Sequence, residues 1–234
     1  EISCFYRAKA QKKITLQVFA DSDEEYCEIM EQLNDIPEKD IIERTPGKLW
    51  CNDYYLECYM VSSKTKNYED VFCSVDVEKT LIAINPFWVN GHIYTFYSYK
   101  AVTSNDNKRY PGRYPYRYAN GLSGEYIINP FFTSANFKLT IYGPVVKPQV
   151  TIGNNTYRVN ITLEEKERLE IDTREKTIEK VKAFGERVNA FHNRQKGMDF
   201  FRKIPAGRQY IMWTGKFEFD VTLYEERSEP RWKM

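Results

Sequence analysis

Histidine and cysteine supply most metal centres and covalent nucleophiles, and in this chain they are few and scattered. His92 and His192 are the two histidines. A zinc site needs three or four nitrogen, sulfur or carboxylate ligands, and no short-range cluster supplies them. A Ser-His-Asp or Cys-His arrangement would have to use one of these two rings, and neither lies in a motif of that kind. The cysteines Cys4, Cys27, Cys51, Cys58 and Cys73 are odd in number and form no C-x-x-C pair. That predicts free thiols in a reducing compartment, not a disulfide framework. Gly121-Leu122-Ser123-Gly124 lacks the lysine and following helix of a phosphate-binding loop. Glu164, Glu165 and Glu167 are sequence neighbours, which does not set two carboxylates on either side of a scissile bond. The stretch 162–187 around them holds eight acidic and seven basic residues and reads as a solvated charged face. Asn154-Asn155-Thr156 and Asn160-Ile161-Thr162 are formal glycosylation sequons, which carry weight only behind a secretory signal. The residues therefore predict no catalytic group, no cofactor and no metal.

A different chemistry is concentrated between Tyr94 and Tyr118. Seven of the 18 tyrosines fall there, interleaved with Lys100, Lys108, Arg109, Arg113 and Arg117. Tyrosine buries much area at low rotamer cost and arginine makes forked, stacking contacts, so both are enriched at protein interfaces. Aromatic faces also stack on sugars, or on single-stranded bases while arginine tracks phosphates. A third reading is a proline-braced loop folded onto its own domain. The formal charge of 34 − 33 = +1 disfavours sequence recognition of nucleic acid, because polyanion binders carry a basic excess. Interface contact and loop packing stay open. The candidate interface residues are Trp88, Tyr110, Arg113, Tyr114, Tyr116, Arg117, Tyr118 and Trp232.

The elements that must carry these residues are mostly strands. Aromatic residues make up 15% of the 234 positions, and tyrosine and phenylalanine favour strands over helices. The mean hydropathy is −0.62, and no apolar run approaches the roughly 20 residues of a membrane-spanning helix. Glu1 to Lys13 has no apolar h-region. Ile14–Val18 alternates as a half-buried strand. Ser22 and Glu25 have capping-box spacing, and Tyr26, Ile29, Met30 and Leu33 then mark one apolar helical face, predicted to pack on a sheet. Pro37 is expected to end that helix. Pro46-Gly47 signals a turn. Tyr54–Val61 and Val71–Glu78 read as strands joined by a polar loop at 62–70, with a third apolar run at Leu81–Ile84 and a possible strand at Tyr94–Tyr99. Further on, Phe137–Tyr142, Val150–Ile152, Tyr157–Ile161 and Phe217–Tyr224 alternate, with a hairpin turn at Gly153-Asn154-Asn155. Helix propensity alone makes parts of 162–187 helical.

In the C-terminal half a series of short matches appears in a fixed order. It begins with Phe137-Lys138-Leu139-Thr140-Ile141-Tyr142-Gly143-Pro144, Pro148, Val150-Thr151-Ile152-Gly153 and Tyr157-Arg158-Val159. It continues through Leu169-Glu170-Ile171-Asp172-Thr173, Lys176-Thr177, Gly185, Asn189-Ala190-Phe191 and Phe201-Arg202-Lys203-Ile204-Pro205-Ala206-Gly207, and ends at Glu226–Trp232. Upstream, Gly47-Lys48-Leu49, Tyr54-Tyr55-Leu56 and the run 114–118 fit more loosely. In order and spacing this series resembles the distal tail protein family of tailed bacteriophages, over about 131–232 and, less closely, 1–88.

The resemblance implies a mostly β protein with one main helix. An N-terminal α+β ring-forming domain, with the Tyr/Arg-rich junction loop, would span 1–124, and a galectin-like antiparallel β-sandwich 125–234. It makes Leu169–Thr173 and Thr177–Val181 a strand hairpin. It implies a structural, non-enzymatic protein of the virion tail, assembled in the bacterial host cytoplasm as a homo-oligomer, a hexameric ring. Its partners would be the tail tube protein, the tail-tip hub or tail-associated protein, and a receptor-binding protein, with no membrane insertion. The family carries further sequence before the strand matching Ile14–Val18, so residues ahead of Glu1 are expected. The rival reading is a carbohydrate-binding sandwich. It would need a Trp or Tyr platform flanked by Asn, Asp and Arg on one strand face, which neither Trp213, followed by Thr214-Gly215-Lys216, nor Trp88, after a proline at the domain junction, provides.

Overall fold

In the computed structural model, which describes residues 8–69, 74–98 and 123–231, the first alternating run becomes strand β1, Ala10–Phe19. Helix α1, Asp23–Glu43, follows at once. The Ser22 hydroxyl accepts from the Glu25 N–H at 3.2 Å, and the Glu25 carboxylate reaches back to the Asp21 N–H at 2.8 Å. The predicted box is therefore formed, with the returning bond one residue outside the cap. The stripe Tyr26, Ile29, Met30 and Leu33 packs against Val18, Val75 and Val77.

The helix does not stop at Pro37 but continues to Glu43, where Arg44 turns left-handed at φ 55°. A proline inside a helix leaves the carbonyl four residues earlier without its donor. Here that carbonyl is Leu33, and Lys79 replaces the missing N–H. Lys79 is 3% exposed. Its Nζ donates to the Asn34 Oδ1 at 2.7 Å and, more weakly, to the Leu33 oxygen at 3.4 Å. Burial pulls the Lys79 pKa down. Lys79→Met is expected to cost about 1–3 kcal/mol, the usual price of a buried acceptor left unsatisfied. Pro37→Ala restores a donor to Leu33, so it should recover part of that loss. Urea unfolding of the two single variants and the double variant reads the coupling, and strictly additive effects would refute it.

Two units are distinguished by their internal contacts: Glu1–Asn90 with Glu226–Met234, and Gly91–Glu225. In the first, β1 pairs with β4 (Ser74–Ala83) and β4 with β3 (Tyr54–Glu69), all antiparallel. Strand β2 (Gly47–Cys51) lies on β3. Three expectations change here. Gly47 opens β2 instead of turning, and a Cβ there would overlap the Asp40 carboxylate. The polar stretch from Ser62 is no loop but continues β3 to Glu69, with register shifts at Met60/Ser62 and Lys66/Glu69. Opposite charges across strands hold this polar arm: Lys66 and Lys13 contact Glu78 at 2.7 and 3.2 Å. The apolar run at Leu81 is the continuation of β4, not a third strand. Leu56, Cys58, Leu81, Ala83 and Trp88 form the core of this sheet.

The second unit is a sandwich. One sheet has the order β5-β16-β7-β12-β13-β14, built from β5 (Trp88–Phe96, in this unit from Gly91), β16 (Phe219–Arg227, to Glu225), β7 (Phe137–Tyr142), β12 (Arg168–Asp172), β13 (Thr177–Val181) and β14 (Arg187–Asn189). The other has the order β10-β9-β15-β6, from β10 (Asn155–Arg158), β9 (Gln149–Ile152), β15 (Gly207–Trp213) and β6 (Ser123–Asn129). Strands β8 (Val145–Val146) and β11 (Thr162–Leu163) make a small pair. Inward residues of both sheets, among them Leu139, Ile171, Val221, Val150 and Ile211, share one core. The hairpin at Gly153 is present, with Gly153 at φ +57°. The hairpin β12–β13 also forms, so burial of Leu169, Ile171 and Ile178 overrides helix propensity there.

The fold is thus mostly β with one main helix and antiparallel sheets, as expected. No helix among the described residues is long and apolar enough to cross a membrane.

Candidate functional site

The side chains that could do covalent or metal chemistry are separated by the fold as they are in the sequence. Among the described residues no three His, Cys, Asp or Glu side chains come together as metal ligands. His92 Nε2 lies 3.1 Å from the buried Glu225 carboxylate and its ring packs 5.5 Å from Phe131. This is an oriented histidine, yet no hydroxyl or thiol of a described residue completes a triad around it. His192 is exposed. Cys27, Cys51 and Cys58 are free thiols, and burial pushes the Cys58 thiol up.

Of the predicted contact residues, Trp88 is 8% exposed and packs with Leu56, Cys58 and Leu81, with Lys12 Nζ 6.0 Å from its ring. Its ring is part of the first unit's core. Tyr110, Arg113, Tyr114, Tyr116, Arg117, Tyr118 and Trp232 lie outside the described residues, as do Cys4 and Cys73.

The charge run at 162–187 is not simply a solvated face. Glu170 is 6% exposed and accepts from three cations: Arg168 Nε at 2.6 Å, Lys138 Nζ at 2.9 Å and Arg187 Nη1 at 3.0 Å. Arg187 also reaches Glu179 at 2.7 Å. Burial alone would raise the Glu170 pKa, but the hydrogen bonds and charges of its three partners outweigh it and hold the carboxyl at about 2. Alternation explains the cluster, because Lys138, Glu170 and Glu179 share one face of adjacent strands. A carboxylate so saturated cannot take or give a proton near neutral pH, which suits a structural tie and not an acid or base.

Two exposed aromatic surfaces were hidden in the sequence. On β2, Trp50 is 60% exposed and tilts against Tyr55 at 5.2 Å, with Lys48 Nζ 4.5 Å from the Tyr55 ring. Strand β2 pairs only with β3 among the described strands, so an open edge adjoins the exposed indole. On the second unit, Tyr126 and Tyr210 stand opposite each other on β6 and β15, with rings 5.1 Å apart, and the Arg208 guanidinium sits 3.5 Å from the Tyr126 ring. This is an exposed tyrosine and arginine platform on one sheet face. It was not legible because the pairing of β6 with β15 joins distant segments. Trp213, by contrast, is buried in the sandwich core.

No protein-family model and no curated protein matches the chain. Among solved structures, the chain is similar to one in the phage P2 baseplate in its activated conformation with calcium. That match has a TM-score of 0.56 and 16% identity, over 94% of this chain and 80% of that chain. The same baseplate with strontium gives 0.56 and 15%, over the same shares. The fold is thus that of a phage baseplate chain. More particularly, it is also that of the SPP1 Dit protein (gp 19.1), described as a paradigm of the hub adsorption apparatus in phages infecting Gram-positive hosts. There the TM-score is 0.52 at 9% identity, over 93% of this chain and 78% of that one.

Proposed function

We propose that this chain is a structural component of a phage tail tip, a distal tail protein. It assembles as a homo-oligomeric ring, hexameric by the resemblance, that joins the tail tube to the tail-tip hub and the adhesion apparatus. The observation that carries this reading is the fold likeness to baseplate and Dit chains over more than nine-tenths of the sequence. The ordered motif series in 131–232 supports it independently. In this reading the first unit, with its open β2 edge and exposed Trp50, belongs to the ring, and the galectin-like sandwich is peripheral. It acts by assembly and not by catalysis, in the virion tail, after assembly in the host cytoplasm.

Analytical ultracentrifugation over a wide concentration range, alone and with the neighbouring tail proteins, tests this. Closed rings should form, and a protein that stays monomeric in every mixture would refute the proposal. Alanine at Tyr114, Tyr116 and Tyr118 together should weaken assembly more than it lowers the unfolding free energy. Normal assembly by that variant would reduce the cluster to loop packing.

The Tyr126, Tyr210 and Arg208 platform favours a second reading, carbohydrate binding by the sandwich, since exposed aromatic faces stack on sugar rings. Saturable binding on a glycan array, lost in Tyr210→Ala, would support it, and an array without signal would remove it.

A further inference from the structure

A groove of about 810 Å³ on the second unit takes no part in the readings above. Its lining includes Val146 on β8, the buried edge of Phe217, and three cations, Lys147, Arg158 and Lys216. One acid, Glu164, lines it as well. None of the three cations makes a side-chain hydrogen bond or ion pair to a described residue. Elsewhere in the same unit several cations are neutralised: Lys138, Arg168 and Arg187 meet at Glu170, Lys180 contacts Glu167 and Lys182 contacts Glu186. The groove therefore carries a local charge of 3 − 1 = +2, because Glu164 offsets only one of its three cations.

The backbone holds this arrangement in place. Lys147 sits at φ 49° in the turn between β8 and β9, a conformation uncommon for residues other than glycine. Its N–H is tied to the Ile161 oxygen at 2.8 Å. The occupant must be anionic to match the cations and partly apolar to cover the exposed Val146. The groove presents no exposed aromatic face on which a sugar ring could stack, because Phe217 is buried. Its volume lies within the roughly 300–1,000 Å³ of ligand sites, enough for a short peptide and too small for a folded surface.

We propose that this groove receives a short, acidic and partly apolar peptide segment of a partner protein. The inference concerns the single chain and holds whether or not the chain forms rings. Its failure would therefore leave the assembly reading standing, and failure of assembly would leave the groove untouched.

The test is selection of a random dodecapeptide display library on the immobilised full chain, with the variant Lys147→Gly, Arg158→Gln, Lys216→Gln as the counter-bait. Glycine suits the left-handed backbone at 147, so that exchange removes charge without added strain. Enriched peptides should be rich in Asp and Glu with interspersed Val, Leu or Phe. A synthesised winner should bind the triple variant about tenfold or more weakly, the sum of three modest charge contacts, and more weakly as salt rises. The single exchange Lys147→Gly should weaken it about threefold by the same arithmetic, which keeps the test decisive if the triple variant folds poorly. No enrichment, enrichment of neutral or basic sequences, or undiminished binding by the variants would overturn the proposal. So would binding of polygalacturonate that the variants lose while no peptide is selected, since the groove would then serve an anionic polysaccharide.

Discussion

Trp213→Ala is expected to lower the unfolding free energy by about 4 kcal/mol, within the range for large aromatic truncations in a packed core. The indole is 1% exposed. It meets the edge of Phe96 at 5.9 Å and of Phe219 at 5.2 Å, while Phe96 and Phe219 stack at 4.7 Å. Removing it opens a cavity that two other rings cannot fill without leaving their rotamers, so transfer and cavity costs add. Trp213→Phe should cost clearly less, because part of the volume is kept. Urea unfolding followed by far-ultraviolet circular dichroism measures both, and avoids a fluorescence signal that the substitution itself removes. A loss below about 1 kcal/mol for the alanine variant would mean that the sandwich core is not packed around this residue.

Glu170→Gln is expected to be the next most damaging, at about 3 kcal/mol near neutral pH, and to change the acid limb of the stability curve. The carboxyl lies at about 2 in the folded chain against an ordinary value of 4.5. A carboxyl with a depressed folded pKa contributes stability that is fully present above its unfolded pKa. That contribution is lost as pH falls from about 4.5 to 2, and the difference converts to about 3 kcal/mol. The native chain should therefore lose stability steeply in that window, and the glutamine variant should be weaker at neutral pH with a shallower slope below pH 4.5. Glu78 and Glu167 are also held below the usual carboxylate range, by hydrogen bonds from Lys66 and Lys13, and from the Glu164 N–H and Lys180. Some acid sensitivity should remain in the variant for that reason. Thermal unfolding between pH 2 and 7 distinguishes the outcomes, and parallel curves for the two proteins would rule out Glu170 as the source.

What was legible in the sequence was local in origin. The capping box, the apolar stripe of α1, and the strands at Ile14, Phe137 and Val150 all follow from residues within a few positions of one another. What was not legible depended on partners brought from elsewhere. Pro37 reads as a helix stop until Lys79 is placed beside Leu33, and nothing near Pro37 announces that lysine. Ser62–Glu69 reads as a loop because its residues are polar, although a polar strand is stable when charges on other strands face it. Glu170 reads as one acid in a run of charges because its partners Lys138 and Arg187 lie on other strands. The same limit hid the tyrosine platform, whose two rings face each other only through the pairing of β6 with β15.

The path of the chain has a further consequence for the order of events during synthesis. Residues 91–225 form their unit as one continuous stretch, whereas the first unit includes Glu226–Met234, which the ribosome makes afterwards. Asn52 already reaches across to this late segment, with its Nδ2 3.5 Å from the Arg231 oxygen. A nascent chain released just after residue 225 would carry a finished sandwich and an unfinished first unit. In such a chain the first unit would still lack the contact of Asn52 with Arg231, so its completion follows that of the sandwich in the order of synthesis.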